Sequence, residues 1–162
     1  MTLTQTNSYD GSSWIQILQG MFRRPARLQI AALCVRERAG VRQVLMVTSK
    51  SARRWILPKG WPIMTRRAHR TASIEAYEEA GIIGKARKKP IGSFQSFKGV
   101  EAGFRLRTRV LVYRVDVTET TKDFPESGKR DVRWVSVPAA IKLADEPGLV
   151  KVLRQLDDEP VN

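Results

Sequence analysis

Leu57-Pro58-Lys59-Gly60 and, further along, Glu75-Ala76-Tyr77-Glu78-Glu79-Ala80-Gly81-Ile82 are the stretches on which the reading of this chain turns. On a helix, Glu75, Glu78 and Glu79 stand at i, i+3 and i+4 and crowd one face within a single turn. Like charges at that spacing repel, so a helix gains nothing from holding them together unless something cationic sits among them. A solvated acidic face is the common fate of such a stretch, but this chain is basic almost everywhere else. A hard divalent ion that takes oxygen ligands and bridges to phosphates is the better match. Pro58 and Gly60 bracket Lys59 as a turn before the helix, and Gly81 closes it at the usual C′ place. Ala76, Tyr77 and Ala80 project roughly opposite the acids with Ile74 on the flank, a face narrow enough to lie against a sheet.

With 162 residues, 18.4 kDa and 42% hydrophobic residues, the chain has the size and composition of one globular domain. No apolar run approaches the roughly 20 residues that span a bilayer, and no basic-then-apolar leader opens the chain. A membrane partner is therefore not expected. The single cysteine, Cys34, lies in an apolar run and reads as an inert buried thiol rather than a nucleophile. These features lead to the expectation of a cytoplasmic location. Twenty-nine Lys and Arg against sixteen Asp and Glu give +13. Such a field attracts polyanions, or it is a solvated surface; the two readings part only when the charges are placed in space.

In chain order, residues 1–12 read as a loose tail and Trp14 to Phe22 as a short amphipathic helix that docks on the domain. Leu28 to Arg36 is an apolar strand, followed by a turn over 37–40 and a second strand, Val41 to Thr48. Trp55 to Leu57 is a short strand, and the acidic helix runs from about Arg67 to Ala80. Gly84 to Pro90 reads as a basic connection, Ile91 to Phe97 as a strand and Lys98 to Gly103 as a turn. Phe104 to Val117 alternates so that Arg105, Arg107 and Arg109 share one strand face. Thr118 to Lys129 is a polar loop, Val132 to Val137 a strand, and Pro138 opens a helix to Ala144. Gly148 to Leu156 forms a last helix and 157–162 a frayed acidic tail.

The acidic segment resembles the Nudix box, G-x5-E-x7-R-E-U-x-E-E-x-G-U with U apolar. Gly60, Glu75, Ala76, Glu78, Glu79, Gly81 and Ile82 take their places in it; Arg66 stands where the first Glu belongs and Ile74 where the Arg belongs. The resemblance implies an α/β fold, the family's α/β/α sandwich with a mixed central sheet, over 27–156, with 1–26 and 157–162 outside it. It implies Mg²⁺ or Mn²⁺ held by Glu75, Glu78 and Glu79 with the Gly60 carbonyl, and Glu79 as the base with Glu75 as its rival. Outside the box the chain is similar to diphosphoinositol polyphosphate phosphohydrolases, at Ala31 to Arg36, Val47-Thr48-Ser49-Lys50, Arg54-Trp55, and Gly128-Lys129-Arg130 leading to Trp134. Carried over by position, Ser49, Lys50, Arg109, Arg130 and Arg27 are candidate phosphate ligands. Lys59 joins them through its own place beside the metal loop.

His69 reads as an exposed helix residue rather than a general acid, and Trp55, Trp61 and Trp134 as core or loop filling rather than a base sandwich. The expected function is a Mg²⁺-dependent pyrophosphohydrolase acting on a highly anionic small molecule, a diphosphoinositol polyphosphate or dinucleoside polyphosphate. The 5′ end of RNA or a nucleotide is an alternative substrate within the same chemistry. A non-catalytic phosphate sensor is motivated by Arg66 and Ile74 and opposed by the three surviving carboxylates. Nucleic acid is a further candidate partner on net charge alone, with no zinc or RNA-recognition pattern beside it.

Overall fold

Ala39 and Gly40 both take positive φ, 51° and 72°, as the two-residue type I′ turn that suits the twist of a hairpin requires. The hairpin joins β1 (Arg27–Arg38) to β2 (Val41–Thr48), with Arg38 opposite Val41. The computed structural model describes residues 27–99 and 105–160. The tail and short helix expected over 1–26, the tip of the expected turn at 100–104, and 161–162 lie outside the described residues.

β1 is the axis of a mixed sheet. It runs antiparallel to β2 and to the two-residue β4 (Lys59–Gly60), and parallel to β7 (Arg105–Thr120) from Arg27↔Thr108 to Val35↔Asp116. The far edge of β7 carries β6 (Gly92–Gly99) and then β5 (Ile82–Ala86), both antiparallel. β3 (Trp55–Ile56) and β8 (Val132–Ser136) pair with β2. Along β1 the side chains alternate between two cores. Ala31, Leu33 and Val35 enter the one covered by α2 (Val137–Leu143) and α3 (Pro147–Asp157); Ile30, Ala32 and Cys34 enter the one under α1 (Ala68–Ala80). Burial on both faces is why this strand reads as a continuous apolar run rather than an alternation. The result is the expected α/β/α sandwich. Burial also pushes the Cys34 thiol far up, which makes it chemically inert.

Several elements differ from the sequence reading. Pro58-Lys59-Gly60 is not a free turn: Lys59 and Gly60 pair with Ala31 and Ile30. The basic connection after α1 begins as strand β5, with Ile82 and Ala86 inward and a register shift between Ile83 and Gly84. A glycine and a bulge inside five residues hide its alternation. β7 runs on to Thr120, and β6 to Gly99. On α1 the packed stripe is Ala72, Ala76 and Ala80, spaced by four, while Tyr77 is turned outward and 40% exposed. Gly81 takes φ 66°, and a Cβ there would overlap the Thr121 carbonyl, so the helix stops where only glycine fits.

The acidic end is held rather than frayed as far as Pro160. The buried Arg42 guanidinium donates to the carbonyls of Leu156 (2.8 Å), Glu159 (2.9 Å) and Pro160 (2.7 Å). These are carbonyls at and beyond the C-terminus of α3, where helical partners run out, although that of Leu156 also accepts the Glu159 amide at 3.3 Å. Arg114 adds an ion pair to Glu159 at 3.0 Å. Arg42→Met is expected to destabilise the protein by about 3 kcal/mol, from charge-assisted hydrogen bonds lost against buried acceptors. A urea-denaturation midpoint checks it; an unchanged midpoint would mean that the end is dispensable.

Candidate active site

The site begins where β4 presses on α1. A Cβ added at Gly60 would overlap the Glu75 carboxylate, so a side chain there would push that carboxylate aside. Glu79 lies one turn on and is 5% exposed. Its Oε2 accepts the backbone N–H of Lys59 at 3.2 Å, and its Oε1 accepts Arg130 Nη2 at 2.5 Å. Arg130 also donates through Nε to Glu126 (2.7 Å) and through Nη1 to the Thr48 carbonyl (3.2 Å). Lys50 Nζ completes the set on Glu126 at 2.6 Å. The loop that carries Glu126 is fastened to α1, since the Glu126 amide donates to the Glu78 carbonyl.

Electrostatics follow from this packing. Burial, then the charges of Glu79, Glu78 and Glu126, push the Glu75 carboxyl up to about 7 against the pull of Arg130. Burial likewise raises Glu79, opposed by Arg130 and the Lys59 amide. Burial works upward on Glu126 too, but Lys50 and Arg130 hold its carboxyl below the usual value. Glu78 is exposed.

These groups open onto a cleft of about 390 Å³. Of the residues expected at the site, it brings together Ser49, Lys50, Lys59, Gly60, Glu75, Glu78, Glu79 and Arg130. Arg27 and Arg109 do not line it. Arg27 is exposed at the start of β1, opposite Thr108, and Arg109 reaches Ser93 Oγ at 3.4 Å in a separate shallow depression along β6 and β7. Arg105, Arg107 and Arg109 do share an exposed strand face, as their period of two predicts. Trp55 and Trp134 lie under Arg133 and Arg36, at 4.9 and 4.0 Å from guanidinium to ring centre. Only Trp61 of the three tryptophans considered lines the cleft. His69 is half-buried in the first turn of α1 and away from the cleft walls.

Sequence reasoning missed Arg54, Glu126, Glu146, Gln29 and Ser96, all cleft-lining. For Glu126 a signal existed: it stands four residues before Arg130, the spacing of an ion pair. The cleft therefore carries four cationic side chains, Lys50, Arg54, Lys59 and Arg130, against five carboxylates, Glu75, Glu78, Glu79, Glu126 and Glu146. The +13 of the chain is spent elsewhere.

The chemistry of the donors suits a hard cation, since Glu75, lying against Gly60, and Glu78 and Glu79 on the same helix offer carboxylate oxygens to one cleft. Among the described residues, no three acidic, histidine or cysteine side chains are already gathered around one point. Glu79 instead gives its two oxygens to Arg130 and the Lys59 amide. Arg66 is exposed and Ile74 half-buried. The box loop is tied down instead by the fully buried Thr71, whose Oγ1 accepts a long 3.5 Å bond from the Ile63 amide.

Comparison with known proteins agrees with the geometry. The NUDIX domain profile matches residues 27–156. The chain is 33% identical over 124 residues to Nudix hydrolase 12, mitochondrial, of Arabidopsis thaliana, covering 72% of this chain and 61% of the relative. It is 31% identical over 115 residues to the human diphosphoinositol polyphosphate phosphohydrolase 3-alpha, covering 70% of this chain and 66% of the relative. The chain thus spans less than two thirds of the length of either. In fold it is similar to a Caenorhabditis elegans Ap4A hydrolase, with a TM-score of 0.61 at 19% identity over 82% of this chain and 96% of that one. On the match of its whole described core to the domain profile, this chain belongs to the Nudix family.

Proposed function

We propose that this protein is a pyrophosphohydrolase that cleaves a phosphoanhydride bond in a small, highly anionic substrate, a dinucleoside polyphosphate or a diphosphoinositol polyphosphate. The observation that carries the reading is the buried Glu79, raised by burial yet charge-paired, set beside Glu75 and Glu78 at the mouth of a cleft with cationic side chains on its walls. Mg²⁺ or Mn²⁺ would be held by Glu75, Glu78 and Glu79 with the Gly60 carbonyl. When bound, such an ion supplies charge neutralisation for the phosphate oxygens and acidifies water.

The chain's own residues do the rest. Glu79 accepts the proton of the attacking water, and its raised carboxyl makes it a stronger base than an exposed glutamate. Water oxygen bonds to phosphorus as the bridging P–O bond breaks. Ser49, Lys50, Lys59 and Arg130 hold the phosphate chain, the lysines as mobile charges and Arg130 through the N–H groups left over from its bonds to Glu126, Thr48 and Glu79. Among the described residues no helix is long and apolar enough to cross a membrane. The fully buried Cys34 suits a reducing compartment, and the cytoplasm is the location we propose.

Two experiments test this reading. Phosphate release with Mg²⁺ or Mn²⁺ is measured over diadenosine polyphosphates, diphosphoinositol polyphosphate, nucleoside triphosphates and 5′-triphosphorylated RNA, with Glu79→Gln alongside. Turnover of one class is expected, reduced by at least about 10²-fold in Glu79→Gln, the usual scale for a general base. Ligand binding without turnover in both proteins would instead make the site a sensor, with Arg66 and Ile74 as its marks.

The second experiment uses the Glu75 carboxyl in protein kept metal-free with EDTA. Its folded value of about 7 exceeds its ordinary 4.5, so the folded state holds this proton more tightly than the unfolded chain. The stability linked to that proton is fully present below about 4.5 and is lost as pH rises through 7. Glu75→Gln is expected to raise stability at pH 8 by about 1–2 kcal/mol after solvent screening, and to leave it nearly unchanged at pH 4.5. Thermal melts across that range check the sign; a gain that grows toward acid would refute the assignment.

A further inference from the structure

The pair between Arg130 and Glu79 is enclosed from both sides, with side chains 8% and 7% exposed. Glu75, Glu78 and Glu79 share one helix and one cleft, yet among the described residues no three metal-binding side chains converge on a point. Glu79 is turned instead to Arg130 Nη2 through Oε1 and to the Lys59 amide through Oε2. A carboxylate oxygen can accept more than one bond. A guanidinium and a divalent ion on the same oxygen are nevertheless like charges in contact, and in an enclosed site their repulsion is little screened.

Arg130 does not depend on Glu79 for its place. A turn closed by the Lys129 amide on the Glu126 carbonyl (3.0 Å), with Gly128 at φ 78°, brings Glu126 and Arg130 together. Arg130 Nε then donates to Glu126 at 2.7 Å and Nη1 to the Thr48 carbonyl at 3.2 Å. Lys50, its side chain 56% exposed, holds the other Glu126 oxygen at 2.6 Å. A small swing of Nη2 can therefore change its partner while two other bonds keep the guanidinium at the cleft.

We infer that Arg130 is the resident counter-ion of Glu79 and competes with the divalent ion for Oε1, and that an anionic substrate, by drawing Arg130 Nη2 onto a phosphate oxygen, yields Glu79 to the ion. This rests on reading the cleft as a metal-assisted phosphoanhydride site and adds its regulation, since one side chain couples cation binding to substrate binding. The exchange conserves pairing. Before it, Glu79 and Arg130 neutralise each other; after it, Glu79 faces the ion and Arg130 the phosphate, so no enclosed charge is left alone at either stage. An ion that arrives without substrate must break the pair and strand Arg130, so it binds weakly. Coupling is reciprocal, and the ion favours the substrate by the same factor. Glu79 thus becomes available as a base when a phosphate is in place to be attacked.

Mg²⁺ binding to the full chain is measured by titration calorimetry, without turnover. Arg130→Gln is expected to tighten Mg²⁺ by about tenfold or more, within the usual range of such couplings. Lys50→Gln removes a cation from the same cleft without touching the pair, and is expected to tighten it by about threefold or less. Equal tightening by both would overturn the inference, because net charge alone would then account for it. So would unchanged or weaker Mg²⁺ binding in Arg130→Gln. A methylene-bridged diadenosine tetraphosphate analogue is expected to tighten Mg²⁺ in the wild type by a factor that shrinks in Arg130→Gln; an equal factor in both proteins would overturn the coupling.

The wild type answers even where Arg130→Gln fails to fold. In ¹⁵N-arginine spectra, with Arg130 assigned by its contact with Thr48, saturating Mg²⁺ is expected to broaden the Nη2 signal as that group loses its partner. A signal that stays sharp would overturn the inference while leaving the metal site standing. A protein that binds no Mg²⁺ in any form, with the analogue or without it, would instead sink the reading of the cleft as a metal site, and the inference with it.

Discussion

A carboxylate as enclosed as that of Glu79 is stable only if paired and hydrogen-bonded, and the site is organised by how this chain meets that demand. One oxygen is met by Arg130 from the loop before β8, the other by the Lys59 amide of β4. Arg130 is in turn anchored to the end of β2 through the Thr48 carbonyl and to Glu126, which Lys50 also holds. Segments far apart in sequence therefore meet around one charge. Replacing Arg130 would leave the Glu79 charge buried with its bond to the Lys59 amide, and such losses are characteristically large, about 3–5 kcal/mol. The same network that secures the fold also sets the carboxylate levels of the site, because Arg130, which with Lys50 lowers Glu126, is also the first charge to offset burial at Glu79.

Much of this was legible in the residues, for identifiable reasons. β1 announced itself as an unbroken apolar run because both its faces are covered. The acidic helix was legible because three glutamates at one helical face conflict with local electrostatics, and such a conflict is a sign of function. What escaped had weak local signals. β5 is an edge strand of five residues with a glycine and a bulge, and its basic residues look like a linker. β4 is two residues long, too short to carry an alternation of its own. Glu146, Ser96 and Gln29 come from three separate elements, and no pattern along the chain links them. Arg109 shows the converse: its strand and its exposed face were predictable, but which end of the sheet it occupies depends on register with β1 and β6.

The charge of the molecule and the charge of its cleft are different quantities. A net +13 invites the picture of a basic bowl, yet the cleft is slightly acidic in its side chains. The excess of arginine and lysine lies outside it, with Arg105, Arg107 and Arg109 on the exposed face of β7. Long-range attraction of anions follows from the whole distribution, whereas binding follows from the few groups within reach. A cleft of this balance gains from cations added with the substrate, which is the usual setting for clustered carboxylates and phosphate together.

The two departures from the family box bear on how the helix is supported, and the structure offers a substitute for that support. With Arg66 exposed and Ile74 half-buried, neither position leaves a buried charge without a partner. The loop is held through the buried Thr71, and α1 through Ala72, Ala76 and Ala80 against the sheet and the glycine stop at Gly81. The three glutamates are a different matter, since repulsion among them and the burial of Glu75 and Glu79 both act against the metal-free fold. A protein that only sensed phosphate would be more stable with those acids replaced, and would bind its anion more tightly. Their presence on one helix beside the cleft, with Glu75 lying against Gly60, is what argues for chemistry at this site.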